Sequence, residues 1–384
     1  MRIGVVGGGP AGLYFALLMK KRNPSHAIRV VEQNPAGATY GWGVVFSDRA
    51  LSFLEDADRA SHADVERRLE TWEDQAIVHR GEAVRIDGIG FSGIARLELL
   101  GILQEHCRRA GVELRFEQRA VDLAALADCD LIVGADGANS VVRQVYQEHF
   151  RPAVEVLTNK YVWYGTSRLF DCLTLTFRQN ADGAFVAHHY RYSEDRGTFI
   201  VECDLATWER AGLAAMSEDE SRRYCEGVFK DDLDGHPLLT NRSLWLNFRA
   251  VTSRAWRYRN VVLIGDALRT VHFSVGSGTR MALQDAIALA DAFEGQPDVE
   301  AGLRRFEETR RPAVEELLRV AAESFRWYER FRDKLHLDPL PFAYDYLLRG
   351  GRISHDRLKA RSPRFGAAYE EYRAARRESP LTRA

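Results

Sequence analysis

Near the N-terminus, Gly7-Gly8-Gly9-Pro10-Ala11-Gly12 spaces its glycines as G-x-G-x-x-G, and Glu32 follows twenty residues after Gly12. Each residue type in that spacing has a chemical use. Gly7 permits a tight turn, Gly9 has no Cβ to keep a pyrophosphate from the backbone, and Gly12 lets a helix pack closely on a sheet. The free N–H groups and positive dipole end of a helix opening at Pro10 and Ala11 would hold a diphosphate. Glu32 stands where a carboxylate accepts hydrogen bonds from a ribose hydroxyl pair, and its charge disfavours a 2′-phosphate. The pattern predicts a dinucleotide site for FAD or NAD rather than NADP. A chance glycine turn is the competing reading, and the strand before, the helix after and the acid at the right distance argue against it.

Other stretches offer weaker chemistry. Gly276-Ser277-Gly278-Thr279 precedes a helical pattern through Met281, Leu283, Ala286, Leu289 and Phe293, a second N-terminus able to face an anion. Gly41-Trp42-Gly43-Val44-Val45-Phe46 is a poor strand but suits close backbone approach, as beside a flat ring; an irregular loop fits it as well. His188, Tyr190 and Tyr192 share one strand face by two-residue alternation, a stripe that half-buried packing explains equally. No acid–base pair, nucleophile triad or metal-ligand set stands out, and no metal is expected. The cysteines number five, an odd count with no C-x-x-C, which suggests neither a disulfide framework nor a zinc site.

Positioning these residues needs an α/β chain. Ile3 to Val6 is an apolar run too short for a membrane and suited to a buried parallel strand, and Ile28 to Val31 repeats it. Cys129 to Gly134 and Asn260 to Ile264 read as further buried strands, and Val112 to Phe116 as another. Leu51 to Trp72 looks like surface helix. Ala76 to His79 and Ala83 to Ile86 look like a strand pair joined at Arg80-Gly81-Glu82, and a helix follows Arg96 with Leu97, Leu100, Leu103 and Cys107 on its apolar side. From Tyr161 to Glu202 four β-branched and aromatic runs alternate with turns, the texture of an inserted antiparallel sheet. The expected architecture is a discontinuous Rossmann-like FAD-binding domain (1–75, 95–155, 255–295), a substrate-binding sheet domain (76–94, 156–254) and a C-terminal helical region (296–384). At 384 residues the chain is long for one core. A net charge of −2 supplies no field for nucleic acid or a membrane surface. No apolar run approaches the roughly 20 residues of a membrane helix, and the opening strand leaves no room for a signal peptide, so the expected location is the cytoplasm.

Three separated motifs share one pattern. The G-x-G-x-x-G with Glu32, the segment Gly134-Ala135-Asp136-Gly137 with Ser140 and Arg143, and Gly265-Asp266-Ala267 followed by Gly276-Ser277-Gly278 resemble the FAD-dependent aromatic hydroxylases, the para-hydroxybenzoate hydroxylase family. Gly41 to Asp48, Trp163-Tyr164-Gly165-Thr166 and His272 to Thr279 look like its narrower branch of salicylyl-CoA 5-hydroxylase, 2-aminobenzoyl-CoA monooxygenase and the violacein-pathway hydroxylase. The wider pattern has paired prolines where His272-Phe273 stands, asparagine at Arg280 and histidine at Arg269.

The resemblance implies FAD as cofactor, NADH or NADPH and O2 as co-substrates, and a flavin C4a-hydroperoxide that hydroxylates an aromatic ring. It implies FAD contacts from Gly7, Gly9, Pro10, Ala11, Gly12, Glu32, Gly43, Val44, Val45, Arg96, Asp136, Gly265, Asp266, Gly276, Gly278 and Thr279. Candidates to orient the ring and exclude water are His272, Phe273, His188 and Tyr190. His272 can also serve as general base for a phenol, or be a structural histidine. The foremost substrate is salicylyl-CoA, hydroxylated at C5; 2-aminobenzoyl-CoA, a free aromatic or indole substrate, and a flavin reductase without oxygenation are the alternatives. CoA phosphates would use Arg349, Arg352, Arg357, Lys359, Arg361 and Arg364, a run that also reads as a solvated helix face. A monomer or a homodimer is expected.

Overall fold

The first strand, Arg2–Val6, is central to a six-stranded sheet, with Ala27–Val31 on one side and Leu131–Gly134 on the other, both parallel. Its apolar run is the composition of a strand covered on both faces. Glu113–Arg115 and Val261–Leu263 extend the sheet in parallel, and Arg257–Tyr258 closes it antiparallel. Helices Pro10–Arg22, Arg96–Ala110 and Gly278–Ala292 pack with it around one core. Ala11 through Met19 are all buried, so the first helix is enclosed on every side. This computed structural model describes residues 1–38, 41–47, 51–120, 123–296, 298–351 and 353–378. Asp48 and Arg352 lie outside the described residues.

The inserted sheet has eight strands. Leu173–Gln179, Ala184–Arg191, Gly197–Cys203 and Pro152–Thr166 neighbour one another antiparallel in that order, and Leu246–Ser253 and Leu238–Leu239 pair with the last of them. Gln75–His79 joins the other edge in parallel and turns back into Glu82–Ile86. The turn uses Arg80 (φ 53°) and Gly81 (φ 80°), the paired positive φ of a two-residue hairpin.

Several elements differ from the sequence expectation. The stretch from Leu51 to Trp72 is two short helices, Ser52–Ala57 and Arg59–Glu66, and a strand, Glu70–Trp72. Asp58 interrupts the helical run because its side chain caps the second helix, accepting from Ser61 N. Gly43–Ser47 is a true strand, pairing Phe91–Ala95 in a three-stranded sheet completed by Glu70–Trp72. Phe91–Ala95 therefore pairs away from the inserted sheet that 76–94 was expected to join. In the helix that follows, Leu97 is exposed and Leu99 is buried, since Leu99 and Leu100 stack one turn before Leu103 and Leu97 does not.

The 32-residue helix Val299–Arg330 links the two large sheets. Leu303, Phe306, Val314 and Leu317 belong to the core of the six-stranded sheet, while Trp327 and Tyr328 pack with Phe177, Val186, Phe342 and Tyr346 on the inserted sheet. A third cluster, including Tyr164, Phe199 and Phe229, packs on other residues of that sheet.

Candidate active site

A cavity of about 980 Å³ lies where these sheets meet, and most of the residues expected to act together line it. Gly9, Pro10 and Ala11 come from the glycine turn, Gly43, Val44 and Val45 from the small sheet, and Gly276, Gly278 and Thr279 from the last glycine cluster. Arg96, Asp266, His188, Tyr190 and Phe273 complete the expected set in the lining.

The remaining glycines and acids hold the cleft's shape from behind. A Cβ on Gly7 would stand 2.4 Å from the Ala135 carbonyl oxygen, and one on Gly12 would stand 2.1 Å from that of Gly7, so both must be glycine. A Cβ on Gly9 would meet nothing within 4 Å, and the helix it opens has no side-chain cap and no acid in its first turn. Those free N–H groups suit an anion. Glu32 accepts from Gly8 N at 2.7 Å and, through its other oxygen, from Asn34 N at 2.8 Å and Asn34 Nδ2 at 2.7 Å. It fixes the turn and does not line the cavity.

Asp136, one of the expected FAD contacts, is engaged within its own turn. Its carboxylate accepts from Ser140 Oγ at 2.5 Å and Val141 N at 2.6 Å, capping the helix Val141–Val145 outside the cavity lining. Gly265 (φ 60°) donates its N–H to Asp285 Oδ2 at 3.0 Å. The buried Asp285 is paired with Arg269 at 2.7 Å and Arg310 at 2.9 Å. Arg269, the residue that departs from the wider family pattern, also donates to Gly265 O at 2.9 Å. Arg143 reaches the same turn, donating to Ala267 O at 2.7 Å. This clamp presents Asp266 to the cleft.

The residues fit FAD. Arg96 is half-buried, and its Nε is a buried donor with no hydrogen-bond partner among the described residues, one that a diphosphate would satisfy. Asp266 lines the cavity and is open to solvent there. Burial pushes its carboxyl above the usual range while Arg269 and Arg96 draw it back. Among the described residues, no group of three or more His, Cys, Asp or Glu could hold a metal ion.

The flat rings beside the glycines of the Gly41–Phe46 stretch belong to the protein. A Cβ on Gly41 would lie 3.0 Å from Trp163, one on Gly165 2.7 Å from Trp42, and one on Gly43 2.4 Å from Tyr192. Glycine here lets the two motifs interlock. Tyr190 donates its hydroxyl to Gly43 O at 2.9 Å, which leaves it a wall and a brace rather than a free proton donor.

His272 is not in the large cavity. It is 5% exposed, stacked on Phe273 at 4.2 Å, and lines a separate void of about 10 Å³ with Glu202 and Asn159. Its Nδ1 accepts from Ser274 N at 3.2 Å, and burial lowers its pKa to about 4. Phe273 is the partition, lining both spaces. Of the two expected histidines, His188 is in the cleft lining and His272 is not, and the Nε2 of His188 stands 3.3 Å from Glu202 Oε2. Glu202 was missed. Its one sequence signal is a lone carboxylate inside the mostly apolar strand Gly197–Cys203.

Of the expected basic residues near the C-terminus that are described, Arg349, Arg357 and Arg361 are in the lining. Arg349 donates to Ser324 Oγ at 3.0 Å and to the carbonyls of Tyr346 and Ser274, each at 2.9 Å, so it is a structural tie. Lys359 pairs with Glu370 at 2.7 Å, and Arg364 lies 3.6 Å from Asp87. Arg357 and Arg361 are exposed where the cavity lining reaches the surface.

The FAD binding domain family matches residues 1–321. The chain is 41% identical over 360 residues to salicyloyl-CoA 5-hydroxylase of a Streptomyces species, covering 91% of this chain and 70% of that protein. It is 39% identical over 353 residues to protodeoxyviolaceinate monooxygenase of Chromobacterium violaceum (90% and 94%). It is 38% identical over 355 residues to 3-hydroxy-4-methyl-anthranilyl-[aryl-carrier protein] 5-monooxygenase of Streptosporangium sibiricum (92% and 95%). Among solved structures, p-nitrophenol 4-monooxygenase PnpA of Pseudomonas putida DLL-E4 shares the fold, with a TM-score of 0.72 at 19% identity over 96% of this chain and 97% of that one. With a cleft that fits the cofactor and relatives of this kind over nine-tenths of its length, the chain belongs to the FAD binding domain family and is an FAD-dependent aromatic monooxygenase.

Proposed function

We propose that this protein hydroxylates salicyloyl-CoA at C5 of the ring, using NAD(P)H and O2 in the cytoplasm. The observation that carries the reading is the 41% identity, over 91% of the chain, to a salicyloyl-CoA 5-hydroxylase. Bound FAD, reduced by NAD(P)H, supplies the activated oxygen. Gly9 to Gly12, Arg96, Asp266 and the N-terminus of Gly278–Ala292 hold that cofactor, and the segments 1–75, 95–155 and 255–295 carry it.

The ring sits against Leu173, Leu175, Ile200 and Phe273, side chains that keep water from the reacting carbon. His188 is the polar group on that wall. The thioester arm leaves toward Ile353, and the CoA phosphates meet Arg357 and Arg361 at the surface. Among the described residues no helix is long and apolar enough to cross a membrane, which agrees with action on a water-soluble thioester.

A second reading, hydroxylation of a free aromatic or indole acid, is favoured by the 39% identity to protodeoxyviolaceinate monooxygenase. Mass spectrometry of the product separates the two. The proposal expects salicyloyl-CoA to gain one oxygen atom at C5. Oxygen gained by free salicylate or an indole acid, with the thioester left unchanged, would select the second.

A further inference from the structure

The wall of the cleft carries a buried pair that cofactor binding does not use. His188 lines the cavity, and its Nε2 is 3.3 Å from Glu202 Oε2. The Glu202 side chain is 1% exposed, and a buried carboxylate is costly unless its oxygens are satisfied. Asn159 Nδ2 donates to Glu202 Oε1 at 2.8 Å, and the imidazole takes the other oxygen. Burial opposes the charge on Glu202, yet these bonds hold its pKa below the ordinary glutamate value. Sheet register makes the contact: Val186 pairs with Glu202 and His188 with Ile200, so the two side chains are diagonal neighbours on one face.

A charged Glu202 fixes the tautomer of His188. Nε2 must carry the hydrogen, and Nδ1 keeps its lone pair for a donor in the cleft. Other groups around the pair leave that assignment intact. His272 is held neutral by burial, Tyr328 packs its ring 5.1 Å from His188, Tyr161 is held protonated by burial, Arg349 is spent on carbonyls, and Glu329 lies across the small void from Glu202. His189, next along the strand, bonds Thr176 Oγ1 at 2.9 Å and stacks on Phe199.

We propose that His188 takes the proton from a hydroxyl on the substrate ring, with Glu202 as the positioning residue that sets its tautomer and stabilises the imidazolium. The O–H bond breaks, the Nδ1–H bond forms, and the electron pair stays on the ring oxygen. That raises electron density at the carbon para to it, which in salicyloyl-CoA is C5. The inference rests on the proposed hydroxyaryl substrate.

The test reads ionisation of the bound ring by absorbance, in FAD-loaded protein without NAD(P)H, across a pH series. In the wild type the bound hydroxyl of salicyloyl-CoA should ionise at lower pH than in solution. Glu202→Gln should move that ionisation up by roughly one unit or more, with turnover recovering as pH rises. His188→Gln should abolish the shift and cut turnover on the order of 100-fold, with FAD content unchanged. A Glu202→Gln variant with the wild-type ionisation and pH–rate profile would overturn the pairing; if that variant does not fold, a His188→Gln variant that still ionises the bound ring at the wild-type pH would do so. If salicyloyl-CoA is neither bound nor hydroxylated, the substrate reading fails, and the same ionisation is read on salicylate; a wild type that shifts neither ring overturns the proposal as well.

Discussion

Tyr190 donates its phenolic hydrogen to the carbonyl oxygen of Gly43 at 2.9 Å, and Gly43 N donates to Thr198 Oγ1 at 3.0 Å. One residue of the small sheet is therefore pinned through both its N–H and its C=O by the inserted sheet. Removing one such bond leaves a buried carbonyl unpaired, a cost of about 1–3 kcal/mol. Tyr190→Phe should lower the melting temperature measurably while FAD still binds. An unchanged melting temperature would mean that the bond contributes nothing to joining the two sheets.

Cofactor retention should depend on Arg96 and Asp266. Each faces the cleft, and a charge-assisted hydrogen bond contributes about 1.5–3 kcal/mol. Arg96→Ala and Asp266→Ala should each weaken FAD binding by tenfold or more in fluorescence titrations of apoprotein. Asp136→Asn should act through stability instead, because that carboxylate caps a helix. Full retention of FAD in both of the first two variants would remove the cofactor assignment.

Much of this arrangement was legible in the residues. The glycine turn, the strands around it and the inserted sheet follow from local pattern, since apolar runs and β-branched texture are set within a few residues. Long-range duties were not legible. Glu32 and Asp136 both look like ligand acids in sequence, yet their oxygens accept from neighbouring backbone N–H groups and from the side chains of Asn34 and Ser140. His272 sits next to the cleft-lining glycines in sequence, but the ring of Phe273 separates it from the cleft. Glu202 meets His188 only through a strand register that no single stretch announces. The long helix joining both sheets was visible as a helix, not as a link.

Stability should fall on the acid side through two buried histidines. Burial lowers the pKa of His272 from 6.5 to about 4 and that of His189 to about 3. The folded state thus refuses protons that the unfolded chain accepts below 6.5, so this stability is complete above pH 6.5 and is lost as pH falls toward 4. His272→Leu should flatten the fall of melting temperature between pH 6.5 and 4 relative to wild type. An identical slope would place His272 in a solvated setting.

The surface arginines should report the thioester. Exposed phosphate contacts weaken with salt and bind ground and transition states alike. The KM for salicyloyl-CoA should rise with ionic strength, and Arg357→Ala and Arg361→Ala should each raise it severalfold with kcat little changed. Arg364→Ala, at a residue already close to Asp87, should leave KM alone. Equal effects from all three would make the dependence a general charge effect.

The most direct test of the central claim is the ratio of hydroxylated product to NAD(P)H oxidised, measured on FAD-loaded protein with salicyloyl-CoA and with free salicylate. The account predicts a ratio near one for the thioester, oxygen at C5, and little product from the free acid. NAD(P)H consumption that yields only hydrogen peroxide with the thioester, or equal hydroxylation of free salicylate, would contradict it.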